Sequence, residues 1–115
     1  MLSPIDIMNG ITRKNHELNK KTMEYQHLIE KSLYLERDYH VALYKHMTLL
    51  KSKGETVTWI NSVVKLEPEI AELRLAYHLA DAEAKACLQS IKDCRCAIDS
   101  YRSLLAWEKA VKTEL

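Results

Sequence analysis

Apolar residues recur at alternating spacings of three and four through the second half of the chain. Two rows, each with a period of seven residues, begin at Val63 and Leu66. The first row holds Val63, Ile70, Tyr77, Ala84, Ile91, Ile98 and Leu105, and the second holds Leu66, Leu73, Ala80, Cys87, Cys94 and Tyr101. This pattern, kept over six heptads, predicts one long helix over residues 57–113 that packs a narrow apolar seam against a partner helix.

The first half of the chain predicts another long helix, over residues 12–53. Its seam is less regular, because Ser32 and His46 interrupt it. The two rows of this seam are Ile11, Leu18, Tyr25, Ser32, Tyr39 and His46, and Leu28, Leu35, Ala42 and Leu49. We read His46 as a core histidine with a satisfied hydrogen bond rather than as a ligand.

A short leading helix is predicted over about residues 3–10. Ser3 suits its N-cap and Pro4 its first helical position. Ile5, Met8 and Ile11 would share one face, and we expect Gly10 to separate this helix from the long one.

The connection between the long helices is short. Gly54 suits the left-handed residue just past a helix end, and Thr56 or Thr58 can cap the next helix. Pro68 lies inside the second predicted helix, where we expect a kink, or a break that the seam bridges. A short connection makes the two helices antiparallel neighbours.

These elements define an all-α protein: a long antiparallel helical hairpin, or coiled coil, forming a single domain over residues 1–115. Two helices cannot enclose every apolar side chain, so we expect a homo-oligomer to complete the core. The core and oligomer seam is predicted to include Val63, Ile70, Tyr77, Ile91, Ile98 and Leu105. The apolar residues left outside it are Ile29, Leu43, Leu50, Trp59, Ile60, Leu88, Leu104 and Trp107.

Composition supports this class. The 115 residues include two Gly, two Pro and no Phe, which leaves little for hairpin turns, and 29% are charged. We see no signal peptide and no apolar stretch near the ~20 residues of a membrane span, so we expect no membrane contact. The three cysteines are expected to be reduced, with Cys87 and Cys94 in the core and Cys96 on the surface.

No catalytic constellation is evident. Glu24-x-x-His27 matches half of a di-iron bundle motif, but no second copy exists. Cys94-x-Cys96 has the wrong spacing for a zinc site. We therefore expect no enzyme activity, no metal and no cofactor.

The net charge of +1 hides an asymmetry. Residues 9–31 and 85–112, side by side in an antiparallel hairpin, hold eleven basic and six acidic groups, whereas residues 55–83 hold two and six. This pattern fits an ordinary solvated surface or a contact with a polyanion. The predicted nucleic-acid site consists of Arg13, Lys14, Lys20, Lys21, Lys92, Arg95 and Arg102, with Trp107 as a stacking residue.

The layout resembles small phage helical proteins, among them the UvsY-type recombination mediators. The resemblance lies in the Tyr and Leu seam from Tyr25 to Leu50, the turn Lys51-Ser52-Lys53-Gly54, and the stretch from Ala97 to Leu105, Ala-Ile-Asp-Ser-Tyr-Arg-Ser-Leu-Leu. It implies a homo-oligomer that binds single-stranded DNA and helps to load a recombinase. The protein would then act in the cytoplasm of a bacterial host cell.

Two functions follow from these observations. The first is a non-enzymatic, oligomeric accessory protein of DNA recombination or replication, which binds single-stranded DNA or a DNA-processing partner. The alternative is an adaptor, chaperone or inhibitor that binds another protein's helix and has no nucleic-acid role.

Overall fold

The computed structural model describes residues 2–114, except for the side chain of Glu114. The helical segments, in chain order, are α1 (Pro4–Ser52), α2 (Val57–Val63), a 3₁₀ turn (Val64–Leu66) and α3 (Pro68–Glu114). No strand occurs among the described residues. The prediction of an all-α helical hairpin is therefore confirmed.

A capping box starts α1, as Ser3 and Pro4 predict. The Ser3 hydroxyl accepts a hydrogen bond from the backbone N–H of Asp6 at 3.2 Å, and the backbone N–H of Ser3 donates to the Asp6 carboxylate at 3.2 Å. The hydroxyl also donates to that carboxylate at 2.8 Å. These bonds hold the pKa of Asp6 below its ordinary value, with the side-chain bond as the larger cause.

Gly10 does not divide α1, so the separate helix predicted over 3–10 is wrong. The residue is buried, and a Cβ built on it would lie 2.7 Å from Cζ of Tyr101. Gly10 therefore provides the space in which the Tyr101 ring packs on the α1 backbone. One glycine inside a long helix costs only about 1 kcal/mol, which this packing can offset.

The continuous helix also changes which face is buried near its start. Ile7 is 1% exposed, whereas Ile5 and Met8 are 70% and 56% exposed. Because α1 is unbroken, the heptad row of Leu28 runs back through positions 21 and 14 to Ile7. The face predicted from Ile5 and Met8 is therefore wrong.

A Schellman motif ends α1 at the predicted glycine. Gly54 has φ +84°, its N–H donates to the Lys51 carbonyl at 3.1 Å, and the N–H of Glu55 donates to the Leu50 carbonyl at 3.3 Å. Thr56 then caps α2 by accepting a hydrogen bond from the Trp59 N–H at 3.3 Å. Gly54 and Thr56 thus have the roles that the sequence predicts.

The helix predicted over residues 57–113 is broken before Pro68, so neither the expected kink nor the expected break bridged by the seam is found. The backbone passes through a 3₁₀ turn, and Pro68 becomes the first residue of α3, where a missing N–H costs nothing. The seam does not bridge the break. Leu66 is 76% exposed, while Ile60 and Val64 are 3% and 2% exposed, so the buried positions upstream of the break differ from the predicted row.

The chain divides into two units, which we call the terminal unit (residues 2–26 and 85–114) and the turn unit (residues 27–84). In the terminal unit, the start of α1 runs antiparallel to the end of α3. Gly10 meets Tyr101, and the Cys87 thiol donates to the Lys21 carbonyl at 3.5 Å. The buried core residues of this unit are Ile7, Cys87, Ile91, Cys94 and Ile98.

The turn unit pairs the rest of α1 with the start of α3 and includes α2. Its buried residues are Ser32, Tyr39, Ile60, Val64, Ile70, Ala80 and Ala84. Tyr39 stacks on Tyr77 with ring centroids 6.2 Å apart. His46 Nε2 lies 3.1 Å from a carboxylate oxygen of Glu69, which gives this half-buried histidine the partner expected for it. Of the remaining predicted seam residues, Val63, Tyr77 and Leu105 are half-buried.

Candidate nucleic-acid interface

Every residue of the predicted nucleic-acid site lies in the terminal unit. Residues 1–26 and 85–115 hold ten basic and seven acidic groups, whereas residues 27–84 hold seven and nine. The excess positive charge therefore belongs to one unit. Within that unit, however, the predicted residues do not share one surface.

Lys14 and Lys21 occupy the heptad row of Ile7 and are half-buried. Lys14 Nζ lies 3.1 Å from Glu17 Oε2, and this hydrogen bond, together with the charge of Lys14, lowers the pKa of Glu17. Lys21 contributes a smaller lowering of the same pKa. These two lysines border the core, so they are less available to a polyanion than the sequence suggested.

Arg13 and Lys20 are exposed and lie seven residues apart, on one face of α1. That face points away from the side of α1 that Asn15 and Leu18 occupy, about 140–160° round the helix axis. Asn15 and Leu18 instead line a groove of about 270 Å³ with Arg95 and Arg102. The structure therefore separates Arg13 and Lys20 from the two arginines of α3.

The flank of α3 beside its seam carries a line of basic residues, which we call the basic stripe. It consists of Lys85, Lys92, Arg95, Arg102 and Lys109, all exposed. At 100° per residue they fall within an arc of about 120°, and they extend over roughly 36 Å. Asp99 lies in the same arc and approaches Arg102 at 4.0 Å, between two exposed side chains, a geometry that contributes little energy.

Sequence reasoning missed Lys85 and Lys109 as members of this line. The signal was present, because the spacings of seven, three, seven and seven keep five basic residues on one side of a heptad seam. A total of charge over residues 85–112 does not reveal that alignment, whereas the helical period does.

Trp107 is 63% exposed, but it does not stand beside the basic stripe. It lies about 140° round the helix from Arg102, where it lines a groove with Leu2, Pro4 and Val111. A base stacked on this indole would have to leave the stripe. The stacking role predicted for Trp107 thus has no geometric support from its neighbours.

The cysteines lie where the sequence predicts. Cys87 and Cys94 are buried and Cys96 is exposed, and none forms a disulfide. Burial raises the pKa of the Cys87 thiol, and the charge of Glu24 raises it further. Glu24 and His27 are exposed.

Residues 2–114 offer neither a metal site nor a membrane span. Residues 2–114 contain no group of three or more His, Cys, Asp or Glu side chains placed to hold a metal ion. None of the helices between these residues is both long and apolar enough to cross a membrane.

Comparisons with protein-family models, with characterised proteins and with solved structures found no match to this chain. The resemblance to UvsY-type mediators therefore stays a prediction, and the functional proposal depends on the geometry of the terminal unit.

Proposed function

We propose that the protein is a non-enzymatic, self-associating accessory protein that binds single-stranded nucleic acid along the basic stripe. The observation that carries the proposal is the alignment of five exposed basic residues on one flank of α3. The resemblance to UvsY-type mediators supports a role beside a recombination or replication protein, with a phage origin and DNA as the ligand.

The geometry of the stripe favours a single strand over a duplex. A duplex backbone completes one turn in about 34–36 Å, so its phosphates face a straight line of that length only in part. A flexible single strand can follow all of it. Phosphate contacts release counterions, and the affinity should therefore fall steeply as salt is added.

Little sequence preference is expected. Phosphate contacts carry no sequence information by themselves, and no aromatic side chain lies within the arc of the stripe. Binding should thus be strong at low salt, similar for different base compositions, and weak at high salt.

The test is fluorescence anisotropy with a labelled thirty-nucleotide oligothymidylate at several salt concentrations. The variant Arg95→Glu/Arg102→Glu reverses two charges at the centre of the stripe, and we expect a loss of at least tenfold in affinity with a shallower salt dependence. The matched control is Lys51→Glu/Lys53→Glu, which reverses two exposed charges in the turn unit. Equal losses in both variants would mean that net charge, and not the stripe, drives binding.

A second variant separates the two sides of the terminal unit. Arg13→Glu/Lys20→Glu changes the same net charge on the opposite side of the helix pair from the Arg95 groove. It should weaken binding less than Arg95→Glu/Arg102→Glu does. A larger loss would move the site to α1.

The alternative, a protein-interaction adaptor, is favoured by exposed apolar residues in and after α2. Val57, Trp59 and Leu66 are 65%, 53% and 76% exposed, and all three lie in one ten-residue segment of the turn unit. If the wild-type protein does not bind the oligonucleotide at low salt, the nucleic-acid proposal is wrong. This apolar segment is then the surface to test, with Trp59→Ser/Leu66→Ser as the variant that should lose a protein partner.

A further inference from the structure

A groove lies in the terminal unit, where the residues before α1 meet the last turns of α3. It has a volume of about 400 Å³ and is lined by Leu2, Ser3, Pro4, Trp107, Glu108, Val111 and Lys112. Leu2 and Trp107 are 49% and 63% exposed. The large apolar side chains of Leu2 and Trp107 are thus solvent-exposed beside a groove whose lining is mainly apolar.

Glu108 gives this groove an unsatisfied polar group. Its Oε2 atom is buried and has no hydrogen-bond partner among the described residues. A buried carboxylate oxygen without a donor is costly, so a donor at the groove would favour a rotamer of Glu108 that turns its carboxylate toward that donor. Lys112 lines the same groove one turn further along α3, but the described residues show no ion pair between the two.

We propose that a second copy of this chain completes the groove in a two-fold dimer. Trp107 of each copy fills the groove of the other, and Lys112 of each copy donates to Glu108 of the other. The patch is self-complementary, because one surface holds the projecting ring, the recess, the unpaired acid and the base. A two-fold contact requires this property, since the same patch serves both sides.

The surface beside the groove continues the contact. Ser100, Ser103 and Leu104 form an open face of α3 together with Trp107, and Leu104 is 46% exposed. A stable dimer buries about 800 Å² per partner, more than the groove alone supplies. The serines let a second helix approach closely, and Leu104 adds apolar area.

This interface rests on the self-association in the proposed function and not on nucleic-acid binding. Trp107 lies about 140° round α3 from Arg102, so a contact centred on Trp107 faces away from the arginines of the basic stripe and meets the arc of the stripe only at Asp99. Each dimer then carries two stripes. Linking two sites raises the apparent affinity for a long strand without any new contact to it.

Sedimentation velocity between 1 and 100 µM tests the interface. The wild-type protein should sediment as a dimer, and Trp107→Ala should weaken dimerisation about 30-fold or more, as truncation of a central aromatic residue does. The control is Trp59→Ala, which removes an exposed tryptophan of the turn unit and should leave the dimer intact. Circular dichroism checks that each variant stays helical.

A charge exchange tests the proposed pair directly. Glu108→Lys and Lys112→Glu should each weaken the dimer, and the double variant Glu108→Lys/Lys112→Glu should restore it, because each copy then offers the exchanged charges to the other. A wild-type monomer at 100 µM overturns the proposal, and so does a dimer that none of these variants weakens. If both single variants weaken the dimer and the double variant does not restore it, the proposed pairing of Lys112 with Glu108 is wrong.

Oligonucleotide binding is measured separately on the same variants. A monomeric Trp107→Ala protein should still bind a short oligonucleotide of ten nucleotides as the wild type does, and bind a sixty-nucleotide strand more weakly than the wild type. Failure of the dimer with intact binding of the short strand contradicts this inference and the self-association in the proposed function but leaves nucleic-acid binding standing, whereas failure of all binding by a verified dimer contradicts only the nucleic-acid proposal.

Discussion

The terminal unit and the turn unit bury different kinds of core. In the terminal unit, Ile91 and Ile98 alternate with small side chains, and Gly10 lets the Tyr101 ring lie on the helix backbone. In the turn unit, a stacked tyrosine pair and a buried serine take part, α2 adds Ile60, and the 3₁₀ turn adds Val64. Small side chains are buried in the turn unit too, at Ala80 and Ala84, so the aromatic pair and the residues from Ile60 to Val64 are what distinguish its core.

The surfaces differ as well. The terminal unit holds the basic stripe and a net positive charge, and the turn unit has a net negative charge. Both expose large apolar residues: Leu2 and Trp107 of the terminal unit line a groove with Glu108, while Val57, Trp59 and Leu66 of the turn unit lie in and after α2. Each difference can be tested by making the same kind of change in both units.

The largest expected effect is a charge in the terminal core. Ile91 is 3% exposed, so Ile91→Asp buries a carboxylate without a partner and should lower the free energy of unfolding by several kcal/mol. The control in the same unit is Met23→Asp, at a residue 65% exposed, which should change that free energy by less than about 0.5 kcal/mol. Urea denaturation measures both, and equal losses would show that the core is assigned to the wrong face.

The next largest expected effect is a difference in reactivity among the three cysteines. Burial raises the pKa of Cys87, so little thiolate forms near pH 8, whereas Cys96 is exposed. We expect Cys96 to react with iodoacetamide at least about tenfold faster than Cys87 or Cys94, because only the thiolate attacks. Mass spectrometry of peptides from the native protein gives the three rates. All three should become equal in urea, and equal rates without urea would contradict the terminal core.

The effect of Gly10→Ala on stability should change sign when Tyr101 is removed. Gly10→Ala places a Cβ against the Tyr101 ring, so overpacking of about 1–3 kcal/mol competes with about 1 kcal/mol of gained helix propensity. We expect net destabilisation in the wild type. In a Tyr101→Ala background the clash is gone, and the same substitution should stabilise. If Gly10→Ala stabilises both proteins, the ring does not pack on the α1 backbone.

Gly54, the glycine of the turn unit, is needed for a different reason. No atom lies within 4 Å of a Cβ built on it, but its φ of +84° is a conformation that L side chains rarely adopt. Gly54→Ala should cost about 1 kcal/mol, and Gly54→Asn less, because asparagine tolerates the left-handed region. Thermal melting compares the two, and an alanine variant as stable as the asparagine variant would argue against a conformational cause.

These glycines also show how far the sequence could predict the fold. Gly54 follows basic residues at the end of a periodic segment, and its role is a local property that the sequence predicts. The role of Gly10 depends on Tyr101, more than ninety residues away in the chain, so no local signal distinguishes a helix breaker from a packing site. Before Pro68 the helix is replaced by a 3₁₀ turn, and Ile60 and Val64 are buried there in place of Leu66 of the predicted row.

The candidate site was also predictable from the sequence only in part. The period of seven that predicts the seam also contains the basic stripe, but Arg95 and Arg102 were predicted from the charge of the antiparallel hairpin and not from that period. The half-burial of Lys14 and Lys21 could have been predicted, because both lie within the helix predicted over 12–53 and in the heptad row of Leu28. The groove around Glu108 was missed, because it joins residues 2–4 to residues 107–112 and no sequence pattern links these segments.

The smallest expected effect is a difference between the two helix caps in how their contribution to stability depends on pH. Asp6 completes the capping box of α1 in the terminal unit, where its pKa is lowered, whereas Thr56 caps α2 in the turn unit with a hydroxyl that does not titrate. A carboxyl with a pKa lower in the folded protein than its ordinary 3.8 stabilises the fold above that value, and this stabilisation is lost as the pH falls through the lower, folded pKa. The difference in melting temperature between the wild type and Asp6→Asn should therefore be present at pH 7 and shrink below about pH 4. Glu17, whose pKa is also lowered, titrates in both proteins and cancels from that difference.

Thr56→Ala should instead lower stability by about 1 kcal/mol at either pH. A pH-independent difference for Asp6→Asn would mean that the Asp6 side chain caps α1 without its charge, and the contrast between the two caps would then disappear.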